Sequence, residues 1–384
     1  MAILVGSGKR LTTDDGIPYM WQSGDVVTKS TYVGIITASD GGTNDEFGTS
    51  VSVGSGRIVA GAPFKDVNGN SNQGAAYIFD LNGTQVGIIT SSDGWQTTGD
   101  LFGRSVAVGC GKIVVGSYLE SLQQGSSYIY DLDGLNEIKK GPSSGDSFRA
   151  SKVAVGSGKI LNNSPRTSNF KGRVYIYDTD GSGEIVLEDG SPITLNDNDY
   201  FGNSLAVENG RIVISAGGSN NKVYIFDING NLISEISNIN FASTIVEVGC
   251  GRIAVANATE DTNTGALYLY DLNGTFIKKV QAPNPTSGDR FGKSVAIGIG
   301  RIVVSAPFNN SQGAAYVFDL DGNYLEKLVA PDGISGDEFG QSVAIGCGRI
   351  VIGTARWSNM TGAAYLYNTP PVYNLYDAID LNYG

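Results

Sequence analysis

Residues 102–116 read Phe-Gly-Arg-Ser-Val-Ala-Val-Gly-Cys-Gly-Lys-Ile-Val-Val-Gly, and one loop later residues 125–131 read Gly-Ser-Ser-Tyr-Ile-Tyr-Asp. The alternation over Phe102 to Val108 predicts a strand, Gly109 to Gly111 a tight turn, and Lys112 to Gly116 a second strand, so the stretch is a hairpin. Ser126 to Asp131 predicts a third strand, and Asp133-Gly134 is the signal for another hairpin into an outer strand. The same design returns at Phe47, Phe102, Phe148, Phe201, Phe241, Phe291 and Phe339. Its spacing of roughly 50 residues is the period of a propeller blade or a solenoid turn.

One register runs through nearly the whole chain of 384 residues, which argues for one repeat domain over several unrelated ones. The fold class expected is all-β, a seven-bladed β-propeller of four-stranded antiparallel blades over residues 32–368. Residues 1–31 are then an arm or a degenerate repeat, and residues 369–384 a tail. Small residues such as Ser105 and Ala107 suit the crowded inner edge of a blade. Paired aromatics two residues apart, Tyr77 and Phe79 or Tyr128 and Tyr130, share one sheet face and predict contacts between blades.

The last repeat departs from the rest. After Tyr367 the Asp-x-Asn-Gly turn becomes Asn368-Thr-Pro-Pro371, and proline disfavours an outer strand there. Tyr32-Val-Gly-Ile-Ile-Thr-Ala-Ser-Asp40 closely matches Gln85-Val-Gly-Ile-Ile-Thr-Ser-Ser-Asp93, the outer strand of the first full repeat. It is therefore a spare outer strand, expected to pair with the Phe339 repeat and close the ring. The alternative is an eight-bladed ring, in which Ile3 to Lys9 and Tyr19 to Trp21 belong to a decayed repeat completed by Val372 to Ile379.

Composition narrows the function classes. The net charge of −12, with no basic cluster along the sequence, argues against nucleic acid and anionic membrane as partners. No apolar run approaches membrane-spanning length and Met1 to Arg10 carries no secretion pattern, so membrane insertion is not expected and folding in a cytoplasm is. Cys110, Cys250 and Cys347 share one turn position of different repeats, too far apart to bridge, which predicts free thiols.

These residues resemble the FG-GAP repeat, the blade unit of integrin alpha-subunit propellers and of many bacterial and phage surface proteins. Phe47-Gly48 is followed by Gly61-Ala62-Pro63, and Phe291-Gly292 by Ser305-Ala-Pro307. The resemblance implies a propeller, a binding or adhesion role, and in many members a calcium loop between the first two strands. Here only Gly54-Ser55-Gly56 and equally short copies occupy that position, so no metal and no cofactor are expected. The loop Asp66-Val-Asn68-Gly-Asn70-Ser-Asn72 offers alternating oxygens but is expected to be an ordinary polar loop.

A cation follows every inner turn: Arg57, Lys112, Lys159, Arg211, Arg252, Arg301 and Arg349. Cross-strand ion pairs with Asp80, Asp131, Asp178, Asp227, Asp271 and Asp319 are expected, leaving Arg349 opposite Asn368 as the best anion site on that face. Asp45, Asp100, Asp146, Asp199, Asp289 and Asp337, two residues before the repeat Phe, are expected to accept backbone hydrogens in turns. Catalysis is not expected: the chain has no His, and Glu120, Asp189, Asp197, Glu260 and Asp261 show no defined carboxylate spacing.

Binding is therefore expected on the long loops opposite the short turns, with Phe64, Trp95, Tyr118, Arg166, Tyr200, Phe308, Arg356 and Trp357 as candidates suited to sugar stacking or protein hot spots. The function expected is a non-enzymatic structural or adhesion protein. Its simplest form is a tailed-phage virion component (tail, fibre or decoration), folded in the host cytoplasm, that binds another virion protein or a host-surface glycan. Rivals are a lectin-like module at a cell surface and a polysaccharide-cleaving enzyme; assembly as a homo-oligomer stays open.

Overall fold

The computed structural model describes residues 11–12, 18–19, 29–92, 99–118, 125–141, 152–190, 192–218, 221–237 and 244–370. Seven four-stranded antiparallel sheets form a ring, and a separate short pair joins Leu11–Thr12 to Pro18–Tyr19. Blade 1 is built from Ser50–Gly54, Arg57–Ala62, Ala75–Phe79 and Gln85–Ile89. The innermost strands of blades 2 to 6 begin at Ser105, Val153, Phe201, Thr244 and Val295. Blade 7 holds Ser342–Gly346, Arg349–Thr354 and Ala363–Asn368, and its outer strand is Thr31–Ile36 from the other end of the chain. The spare strand therefore closes a ring of seven, with Tyr32 opposite Tyr367 and Ile36 opposite Ala364. Thr31, assigned from sequence to the arm, pairs with Asn368 and opens this strand. Trp21 and Val372 to Ile379, on which the eight-blade alternative rested, lie outside the described residues.

Each inner hairpin turns on two residues of positive φ, such as Ser55 (47°) and Gly56 (77°), or Cys110 (50°) and Gly111 (76°). That backbone twist matches the twist of the flanking strands. The three cysteines sit at this turn and are free.

The core lies between blades. Phe47, Tyr77 and Phe79 of blade 1 pack with Val351, Ala364 and Leu366 of blade 7, and Phe102, Tyr128 and Tyr130 of blade 2 with Val59, Ala76 and Ile78 of blade 1. Burying each such side chain contributes about 1.5–3 kcal/mol. The aromatic pairs thus meet aliphatic groups across the blade junction, while their ring contacts stay within the repeat. Phe47 lies 5.4 Å from Tyr77 and 5.9 Å from Phe79, edge to face.

Polar stitches run beside these apolar layers. The repeat Phe donates its N–H to the loop of the preceding blade: Phe102 to Gln73 at 2.9 Å, Phe291 to Thr264 at 3.0 Å, and Phe47 across the seam to Thr361 at 3.0 Å. Serines of one inner strand accept N–H groups of the next, as Ser50 does from Val106 at 3.0 Å.

The cations that recur after the turns behave differently from the sequence expectation. Only the two lysines make the in-blade ion pair, Lys112 with Asp131 and Lys159 with Asp178, both at 2.6 Å. The arginines reach instead to the next blade: Arg57 Nε donates to the Leu132 carbonyl at 3.3 Å, Arg211 to Leu272 at 3.0 Å, Arg252 to Leu320 at 2.9 Å and Arg349 to Leu81 at 2.7 Å. A guanidinium carries donors along its stem and fork, whereas an ammonium is a point charge at the tip. The aspartates meanwhile cap their own turns; Asp80 accepts the N–H of Asn82 at 2.9 Å and of Thr84 at 2.8 Å. Arg349 is therefore a seam clamp, its Nε committed to the first blade. Arg301 faces blade 7, where Thr369 stands in place of that leucine, and keeps a buried Nε with no hydrogen-bond partner.

Candidate functional site

The two faces of the ring differ in kind. On the turn face the strands are joined by two-residue hairpins and by Asp-capped turns, nearly identical from blade to blade. On the opposite, loop face lie the connections after each second strand and before each repeat Phe. Among the described residues, four of the former contain consecutive non-glycine residues in the left-handed region: Ser168, Asn169 and Phe170; Asp261, Thr262 and Asn263; Asn310 and Ser311; Ser358, Asn359 and Met360. These short left-handed turns hold their carbonyls toward the next blade, where Asn263 accepts from Arg290 N–H at 2.8 Å and Met360 from Glu46 N–H at 2.8 Å.

The aspartates before the repeat Phe are buried and do accept backbone hydrogens: Asp45 from Gly42 at 2.7 Å, Asp199 from Asn196 at 2.7 Å, and Asp337 from Ile334 at 2.8 Å. Asp146 lies outside the described residues. Tyrosines tie the same loops down, with Tyr77 donating to Asp40 and Tyr365 to Asp332, each at 2.7 Å. Burial, then the adjacent carboxylates, raises both phenols above the ordinary tyrosine range. The loop backbones are thereby fixed while their tips stay open.

The model of the FG-GAP repeat family matches residues 31–79, 84–130, 275–318 and 324–367. Each match starts at or beside an outer strand and ends at or beside the third strand of the following blade, the same offset that leaves Thr31–Ile36 to complete blade 7. The chain is an FG-GAP repeat propeller. A comparison with curated proteins gives no match. The unmatched stretch spans blades 3 to 5, where two of the repeat motifs read Phe148-Arg149 and Phe241-Ala242. As a class, an FG-GAP propeller is a binding or adhesion module.

The calcium loop that the resemblance implied does not fit this FG-GAP propeller. Gly54 and Arg57 are paired across the turn, so only two residues project from the hairpin, too few to surround a cation with 6–8 oxygens. The Asp66 to Asn72 loop folds on itself, with Val67 bridged to Asn70 and Asp66 Oδ1 accepting Asn72 N–H at 2.9 Å. Among the described residues no three of His, Cys, Asp or Glu gather as metal ligands.

Of the sequence candidates, Phe64, Arg166, Phe308 and Arg356 each stand two residues past the end of a second strand, so they recur around the loop face. Tyr118 and Trp357 are their neighbours in the same connections, and Trp95 lies outside the described residues. Phe308 carries the Arg290 guanidinium over its ring at 4.7 Å. Tyr200 packs against the exposed Phe170 at 5.5 Å, and Arg356 approaches Glu338 at 3.3 Å. The described candidates lie in separate connections spread around the loop face. Of the acids weighed for catalysis, Asp189 pairs with Lys171 and Glu260 with Lys279, both at 2.5 Å, and Glu120 lies outside the described residues.

Sequence reasoning missed three exposed cations at the starts of the innermost strands. Arg104 and Lys293 directly follow Phe-Gly in blades 2 and 6, and Lys152 stands immediately before the inner strand of blade 3. The signal was present, since a cation replaces the Thr49, Asn203 or Gln341 of other repeats.

Proposed function

We propose that this FG-GAP propeller is a non-enzymatic adhesion and structural module, a tailed-phage virion component that presents its loop face to a host-surface glycan. The observation that carries this reading is where the chain enters and leaves the ring. Thr31 and Asn368 pair with each other at the turn-face edge of blade 7. Ser30 is clipped there by Glu326, which accepts its N–H at 2.9 Å and its hydroxyl at 2.6 Å, and Thr369 N–H donates to Gly348 at 3.0 Å. Both flanking segments therefore join the propeller on the turn face, which suits an attachment point. The loop face, with its half-buried aromatics and exposed arginines, points away from it.

Sugar rings stack on aromatic faces and accept hydrogen bonds from arginine, so the recurring Phe64, Phe308 and Arg356 register suits a saccharide chain. Catalysis is no part of the proposal: of the acids weighed for it, Asp189 and Glu260 are paired with lysines. Binding of the full-length protein to a glycan array, together with mass spectrometry of purified particles, tests it. Retention of defined glycans and presence in particles support the reading; capture of virion proteins alone moves the loop face from host recognition to assembly.

A further inference from the structure

The innermost strands of the seven blades touch in succession and the first touches the last, so they ring an axial channel. At four junctions a serine at one register accepts the next blade's N–H: Ser50 from Val106, Ser105 from Val153, Ser204 from Val246 and Ser294 from Val343, at 3.0 to 3.1 Å. In blade 3 this register holds Lys152, whose ammonium has no lone pair with which to make the stitch. Its side chain is exposed, as are those of Arg104 and Lys293. A lysine that gives up a structural bond at this position needs another reason to be there.

We propose that the loop-face mouth of the channel is a site for a tetrahedral oxyanion, phosphate or sulfate, held among Lys152, Lys293 and Arg104. All three stand at the loop-face ends of inner strands that ring the channel, and their exposed side chains share its mouth. Lys152 is open to channel solvent yet walled by protein, and desolvation, followed by the charges of Lys293 and Arg104, holds its ammonium below the ordinary lysine range. Lys293 is lowered in the same way, by desolvation and then by Arg290 and Arg104. The acids nearby are Glu338, already approached by Arg356 at 3.3 Å, and Glu46, which feels both Arg104 and Arg356. Lys152, Lys293 and Arg104 thus gather at one mouth in a chain whose net charge is −12. Such a concentration against the overall sign focuses an anion on the axis.

The site uses none of the peripheral aromatics, so it stands or falls separately from the glycan reading. Calorimetry and thermal unfolding of the full chain with inorganic phosphate, inorganic sulfate, galactose 6-sulfate and uncharged galactose test it. Saturable binding of an oxyanion is expected, with a melting temperature that rises with its concentration. K152Q and K293Q should each weaken binding by about tenfold or more, and K112Q on the turn face should leave it unchanged. In anion-free buffer K152Q should melt no lower than the parent, since it removes repulsion. Binding of the free ions assigns an inorganic ligand; binding of galactose 6-sulfate alone assigns a sugar ester. No saturable binding by any oxyanion, binding unaltered in both variants, or a K152Q that melts several degrees lower without anion would each overturn the proposal.

Discussion

Gly362 lies backbone to backbone against Phe47, in a parallel bridge that ties the last blade to the first. A Cβ on Gly362 would sit 2.0 Å from the Phe47 carbonyl oxygen, and its φ is +85°. The same bridge joins Gly74 to Phe102, Gly172 to Phe201 and Gly313 to Phe339. This is why Gly precedes the third strand and Phe precedes the first: the pair is one inter-blade joint.

Gly362→Ala should therefore open the seam and cost about 3 kcal/mol or more, combining a backbone clash with an unfavourable φ. Gly56→Ala shares the positive φ, +77°, but meets nothing within 4 Å, so it should cost only about 1 kcal/mol. Denaturant unfolding of both variants separates the two effects.

The seam also depends on Arg349. Arg349→Met should lower stability by roughly 1–2 kcal/mol through loss of the bond to Leu81, and Arg349→Lys should not restore it, because the donor at 2.7 Å is the stem nitrogen. Equal melting temperatures for Arg349→Lys and the parent would reject the clamp.

Much of this architecture was legible in the sequence because repetition converts weak local signals into a register. The outer strand of blade 7 was found because Tyr32 to Asp40 duplicates Gln85 to Asp93, and the structure pairs Tyr32 with Tyr367. What escaped was whatever depends on the neighbouring blade. Arg57 and Asp80 look like a cross-strand pair within one hairpin, and only the ring shows that Leu132 lies nearer the guanidinium. The left-handed turns at Ser168 and Ser358 carried no glycine to announce them. The channel cations were hidden for the same reason, since residues in blades 2, 3 and 6 become neighbours only on closure.

Closure by Thr31–Ile36 predicts the effect of truncation. Removing residues 1–40 should leave the third strand of blade 7 as a bare edge and strip Ile36 from the core shared with blade 1, producing aggregation and loss of the cooperative transition. Size-exclusion chromatography of the truncated chain checks this; a monomer with the parent melting temperature would contradict it.

Glu247, on the inner strand of blade 5, gives a pH signature. Burial, reinforced by Glu208 and opposed by the N–H of Val248, pushes its carboxyl up to about 8 from an ordinary 4.5. The native state thus holds this proton more tightly than the unfolded chain, so its contribution is complete below about pH 4.5 and is lost as pH rises through 8. Between pH 5 and 8 that loss should amount to roughly 1–3 kcal/mol, and Glu247→Gln should abolish it. Unfolding free energies measured across this range for both proteins provide the comparison.

The central claim is that the loop face binds and the turn face attaches. Its most direct measurement is surface plasmon resonance of the full chain on the array-selected glycan, comparing the Arg356→Ala/Trp357→Ala double variant with Lys112→Ala. The account predicts a loss of about tenfold or more in affinity for the loop-face variant, at an unchanged melting temperature, and no change for Lys112→Ala. Loss of binding in Lys112→Ala with full binding in the loop-face variant would contradict it.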